Sequence, residues 1–134
     1  MKKLFLMIPL LSLCSCQKPY EKAIDTYIQD NFNDPDSYEC VELSKPKEIT
    51  VFDYCVLEVK ERGEKEGWTS DSILTMIGGL RPFLEEKGND PDKVLLRYVD
   101  HTYRANNKVG AKTLYREEWY LNEDMTKVTS IEPK

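Results

Sequence analysis

The last forty residues constrain the fold most tightly. Val94 to Arg104 is rich in Val, Leu and Tyr, and Ala111 to Leu121 follows as a second β run. Between them, Ala105-Asn106-Asn107-Lys108-Val109-Gly110 holds turn-forming residues. Asn122-Glu123-Asp124 makes a second turn before Lys127 to Ile131. Three β-rich runs joined by two short turns predict an antiparallel meander. Such a sheet needs a cover for one face, and the rest of the chain supplies helical segments.

From Tyr20 the apolar residues fall at Tyr20, Ala23, Ile24, Tyr27 and Ile28, extending to Phe32. This is helical spacing with one apolar face. Asn33-Asp34-Pro35-Asp36 ends it, because Pro35 pushes Asp34 out of the helical region. Tyr38 to Leu43 reads as a short strand and Ser44 to Lys47 as a loop. Residues 50–66 fit either period: Phe52, Cys55, Val56 and Val59 keep helical intervals, while Phe52, Tyr54 and Val56 alternate. Thr50 with Asp53 three residues on resembles a capping box, and the charged tail Glu58 to Glu66 suits a solvated helix, so helix is expected. Ile73, Ile77, Leu80 and Leu84 form another helical stripe, interrupted by Gly78-Gly79 and Pro82, which predicts two short helices or one kinked helix opened by Ser70. Asn89-Asp90-Pro91-Asp92 repeats Asn33-Asp34-Pro35-Asp36, a similar corner used twice. The class is α+β: an N-terminal helix and short middle helices on one side of an antiparallel sheet of about four strands.

The first residues read as an address. Lys2 and Lys3 precede an apolar run from Leu4 to Leu13, too short to span a bilayer, which takes about 20 residues. A positive start, a short apolar core and a small-residue exit make a secretory signal. The exit Leu13-Cys14-Ser15-Cys16 resembles the bacterial lipobox, with Ser15 small and Cys16 the acylated residue. The organisation expected is a signal peptide at 1–15, a lipidated tether at 16–19 and one α+β domain at 20–134. Each buried methylene adds about 0.8 kcal/mol, so two or three acyl chains would anchor firmly. The domain is expected in the cell envelope, on the periplasmic side of the inner or outer membrane, with surface exposure as the alternative.

Cleavage before Cys16 would leave 119 residues, enough to bury a core. Without Lys2 and Lys3, 17 basic residues face 24 acidic ones, a balance of −7. Such a domain repels nucleic acid and anionic lipid head groups. Cys40 and Cys55 remain as an even pair in an oxidising compartment, and a disulfide between them is one reading. Two buried thiols are the other. A zinc site is poorly served by two distant Cys and one His.

Two stretches carry a resemblance: Asn31-Phe32-Asn33-Asp34-Pro35-Asp36-Ser37-Tyr38-Glu39, and Tyr103-Arg104-Ala105-Asn106-Asn107-Lys108-Val109-Gly110-Ala111. Together, behind a lipobox, they resemble small uncharacterised lipoproteins of Bacteroidetes-type bacteria. The resemblance implies an envelope location and an α+β fold, and brings no catalytic residues.

Motif chemistry is sparse. The acidic group Asp30, Asp34, Asp36 and Glu39 lacks the spacing and glycine of an EF-hand loop. Gly78-Gly79 lacks the Lys and Ser or Thr of a phosphate loop. No cofactor or metal is therefore expected. His101 is the one histidine, and a hairpin centred near Lys108 would set it opposite Tyr115, with Asp100 opposite Arg116. The meander gathers Tyr98, Tyr103, Arg104, Tyr115, Arg116 and Trp119, the mixture that interface centres favour. The expected function is a non-enzymatic domain that binds an envelope protein or cell-wall component through this face, with an immunity or inhibitor role included. The alternative is a small periplasmic hydrolase using His101 and acidic residues.

Overall fold

In the computed structural model, the structure describes residues 17–134. The expected signal peptide and Cys16 lie outside the described residues. The elements are α1 (Pro19–Asn31), a 3-10 turn (Pro35–Ser37), β1 (Glu39–Leu43), β2 (Lys47–Thr50), α2 (Val51–Glu66), α3 (Ser70–Glu86), β3 (Val94–Asn106), β4 (Lys112–Leu121) and β5 (Val128–Pro133). The protein is α+β, and β3, β4 and β5 form the C-terminal meander.

Pro19 opens α1 at a position where its missing N–H costs nothing, and the Glu21 carboxylate accepts the backbone N–H of Lys18 at 3.0 Å. Tyr20, Ala23, Ile24 and Ile28 then share the buried stripe. They pack on Val99, Tyr103 and Ala105 of β3, Trp119 and Leu121 of β4, and Val128 of β5. Phe32 leaves the helix in an extended conformation. The first corner is pinned to the sheet: Asn106 donates its backbone N–H to the Ser37 hydroxyl at 2.9 Å and its side-chain amide to Asp34 at 2.7 Å.

The sheet is antiparallel in order β1-β3-β4-β5, and β2 also pairs with β3. β3 is long enough to hold two short strands on one edge. β1 takes its distal half, Glu39 opposite Arg104, and β2 its first half, Lys47 opposite Tyr98. At the junction Ser44 donates its N–H to the Asp100 carbonyl, and its hydroxyl accepts the Asp100 N–H, both at 2.9 Å. β2 occupies part of the expected loop. Its Lys-Glu-Ile-Thr sequence has one strongly apolar residue, so its strand form comes from pairing with β3 rather than from pattern.

Residues 51–66 are helical, Thr50 ends β2 as the helix cap, and the capping box is present: Asp53 N–H donates to the Thr50 hydroxyl at 3.2 Å, and Asp53 accepts the Thr50 N–H at 3.0 Å. Gly67 closes α2 with φ +72°, a left-handed conformation suited to glycine. The middle helices run longer than expected. α3 continues through Gly78-Gly79 and Pro82, and its cap is Thr69, one residue before Ser70. Pro82 removes one intrahelical donor, and the turns on either side carry the helix past it.

α2 and α3 pack on each other, and α2 also touches β2. The root of this hairpin is held by Val51 N–H to Lys93 C=O at 2.9 Å, Phe52 N–H to Pro91 C=O at 3.0 Å, and a two-pronged Arg81–Asp92 pair. Among the described residues, α1 is the helix that lies over the sheet's inner face. Among the described residues, no helix is long and apolar enough to cross a membrane.

Candidate functional site

Strand alternation divides the six residues expected to form one face. The buried positions of β3 are Val99, His101, Tyr103 and Ala105, and those of β4 are Trp119 and Leu121. Tyr103, Tyr115 and Trp119 therefore face α1, while Tyr98, Arg104 and Arg116 point to the opposite face. Tyr103 is 4% exposed and Trp119 is sealed. Tyr115 stacks on Tyr103, centroids 5.1 Å apart, and both line a shallow cleft of about 210 Å³ beside Phe32.

The β3–β4 register also differs from expectation. Tyr103 lies opposite Tyr115, His101 opposite Glu117, and Thr102 opposite Arg116. The turn supplies the reason. The Asn107 side-chain carbonyl accepts the N–H groups of Val109 and Ala111, and Gly110 takes φ +80°. This closes a five-residue loop centred on Val109, one residue beyond Lys108, so each partner moves by two.

His101 is 1% exposed and lies inside the aromatic core. Its ring centroid is 4.6 Å from Trp119 and 4.8 Å from Tyr103, and its Nε2 bonds the Tyr38 hydroxyl at 2.8 Å. Burial lowers its pKa to about 4, so the ring is neutral at pH 7. Nδ1 has no hydrogen-bond partner among the described residues. Glu117 accepts from the Tyr103 hydroxyl at 2.8 Å and from the Trp119 indole N–H at 3.0 Å. A histidine so enclosed cannot touch a substrate in this conformation.

Cys40 and Cys55 are free thiols, and the expected disulfide is absent. β3 separates them. Cys40 pairs opposite Tyr103, whereas Thr50, which leads into α2, pairs opposite Val94. Nine residues of strand span about 30 Å. Cys55 is a turn and a half into α2, and a disulfide needs Cα atoms within about 7 Å.

Among the described residues, no helix lies over the outer sheet face. At one end Tyr98 and Tyr120 pair at 5.7 Å, with the Lys47 ammonium 5.7 Å over the Tyr98 ring. Burial and then Glu118 push the Tyr120 hydroxyl pKa up to about 12. At the centre Lys47 and Lys134 both bind Asp100, holding its carboxyl below the usual range, with Lys134 the larger cause. Beside them opens a pocket of about 410 Å³, bordered by Glu42, Thr102 and Arg116. At the far end Glu39 binds Lys112 at 3.0 Å and Arg104 at 3.4 Å. Lys47, Glu42 and Lys134 escaped the sequence reading because they come from edge strands and the C-terminus. The parity shared by Tyr98, Asp100, Thr102 and Arg104 was the available signal.

The assembly is a one-helix-on-sheet domain with a helical hairpin inserted between β2 and β3. No protein-family model, curated protein or solved structure matches the chain.

Proposed function

We propose that this protein is a lipid-anchored binding domain of the bacterial cell envelope, and that it presents the outer sheet face to an envelope protein or cell-wall component. The Leu13-Cys14-Ser15-Cys16 exit supports the anchor. The observation that carries the binding reading is the uncovered outer face itself: an aromatic pair at one end, a pocket at its centre, and mixed charges around it. Arg and Tyr together are frequent anchors of recognition surfaces.

Two measurements test this. Membrane fractionation of Cys16→Ala should move the protein from the membrane to the soluble fraction; retention in the membrane would refute the anchor. Affinity capture from envelopes should recover a specific component with the native chain and lose it with Arg116→Glu, whose side chain is exposed on the outer face. Equal recovery with Arg116→Glu would refute the outer face as the binding surface.

A further inference from the structure

The bonding of the charges around the outer-face pocket narrows what it can hold. Both Asp100 oxygens are occupied, by Lys47 and Lys134. Glu117 is held by Tyr103 and Trp119. The Ser44 hydroxyl donates to Lys45 C=O and accepts from Asp100 N–H. Three bordering side chains have no hydrogen-bond or ion-pair partner among the described residues: Glu42, Thr102 and Arg116. They are neighbours across the sheet, since Glu42 lies opposite Thr102 and Thr102 opposite Arg116. Strand spacing sets their backbones about 5 Å apart in each step, so an acid and a base stand about 10 Å apart with a hydroxyl between.

Resting on the outer-face reading above, we infer that this row binds a small zwitterion: an amino acid or short peptide with a free ammonium and a free carboxylate. The ammonium donates to Glu42. The carboxylate accepts from Arg116, whose fork suits two parallel hydrogen bonds. The Thr102 hydroxyl lies beneath the segment that joins them. The neighbouring charges argue against ligands of one sign. A polyanion would meet Glu42, and a polycation would meet Lys47, Lys134 and Arg116. The pocket, about 410 Å³, has room for a dipeptide.

The test titrates the full chain in detergent with dialanine, N-acetyl-dialanine and dialanine amide, read by calorimetry and by amide shifts at Glu42, Thr102 and Arg116. Dialanine should saturate, and each cap should weaken binding about ten-fold, the loss of one charge-assisted contact. Glu42→Gln should erase the effect of acetylation and keep that of amidation, and Arg116→Gln should do the reverse. Circular dichroism verifies that both exposed-site variants remain folded. Absence of saturation up to about 10 mM, or binding indifferent to both caps, overturns the zwitterion. If dialanine fails while Arg116→Glu still loses its envelope component, the outer-face reading stands and this inference alone falls. If both fail, the face is not the binding surface.

Discussion

The α1–sheet body has one helix of 13 residues and the α2–α3 hairpin has two, of 16 and 17, and both regions carry apolar stripes, yet they bury them very differently. In the body, Ile24, Ile28, Val99 and Trp119 are all but sealed, and the rings of Tyr38, Tyr103 of β3 and Trp119 of β4 pack around His101. In the hairpin the buried residues are Gly63 and Leu84, while Leu74 is 65% and Phe83 53% exposed. A helix on a sheet has a broad surface to cover. Two helices lying side by side have only a seam. Capping therefore matters more in the hairpin, where Thr50, Gly67 and Thr69 fix helix ends that packing does little to hold. Local opening is expected in the hairpin first.

The largest effect that would sharpen this contrast is Trp119→Ala. It removes the side chain common to α1, β3 and β4, and should cost about 3–5 kcal/mol in urea unfolding. A loss below about 1 kcal/mol would mean that the body is not the cooperative core. Next is the pH response of His101. Its folded pKa of about 4 lies below the ordinary value near 6.5, so the folded protein binds fewer protons between those values. The stability linked to its neutral form is complete above about pH 6.5 and drains away as pH falls towards 4, by up to about 3 kcal/mol. Tyr38, Tyr103, Trp119 and the opposing Glu117 surround it, and none is a cation able to reverse that sign. His101→Gln should flatten the stability curve between pH 6.5 and 4.5; an unchanged slope would assign acid sensitivity elsewhere.

Gly63→Ala probes the hairpin. A Cβ there would stand 2.7 Å from Ile73 Cγ1 and 3.2 Å from Trp68 Cε3, so the seam must widen. A cost of about 1–2 kcal/mol is expected. Hydrogen exchange should speed up in α2 and α3 and stay unchanged in β3 and β4. Acceleration spread evenly over both regions would show one cooperative unit and dissolve the comparison. Smallest is Leu74→Ser, where a largely exposed side chain should change stability by less than about 0.5 kcal/mol. A larger loss would reveal a covering contact on that helix face.

The two Asn-Asp-Pro-Asp corners show how identical residues take different work from their surroundings. The first binds Asn106 at the end of β3 through Asp34 and the Ser37 that follows. The second reaches across the hairpin root, with Asp92 on Arg81 and Pro91 C=O accepting Phe52 N–H. Local sequence set the turn in both places, and the partner came from elsewhere in the chain. The candidate face behaves likewise. Tyr98, Arg104 and Arg116 were legible as surface candidates, but Glu42, Lys47 and Lys134 join the site from strands and a terminus distant in sequence.

Periodicity and turn chemistry determined the element types from the sequence alone: a 3.6-residue stripe in α1, the capping box of α2, and β runs separated by Asn- and Gly-bearing turns. These are local effects within a few residues of chain, so they are written where they act. The tertiary structure decided the rest. It paired β2 by backbone bonds that its side chains do not announce, and shifted the β3–β4 register through one Asn107 side chain. It also put Cys40 and Cys55 at opposite ends of β3. A one-residue change in a hairpin's centre moves every cross-strand partner by two, and no local pattern sees that far.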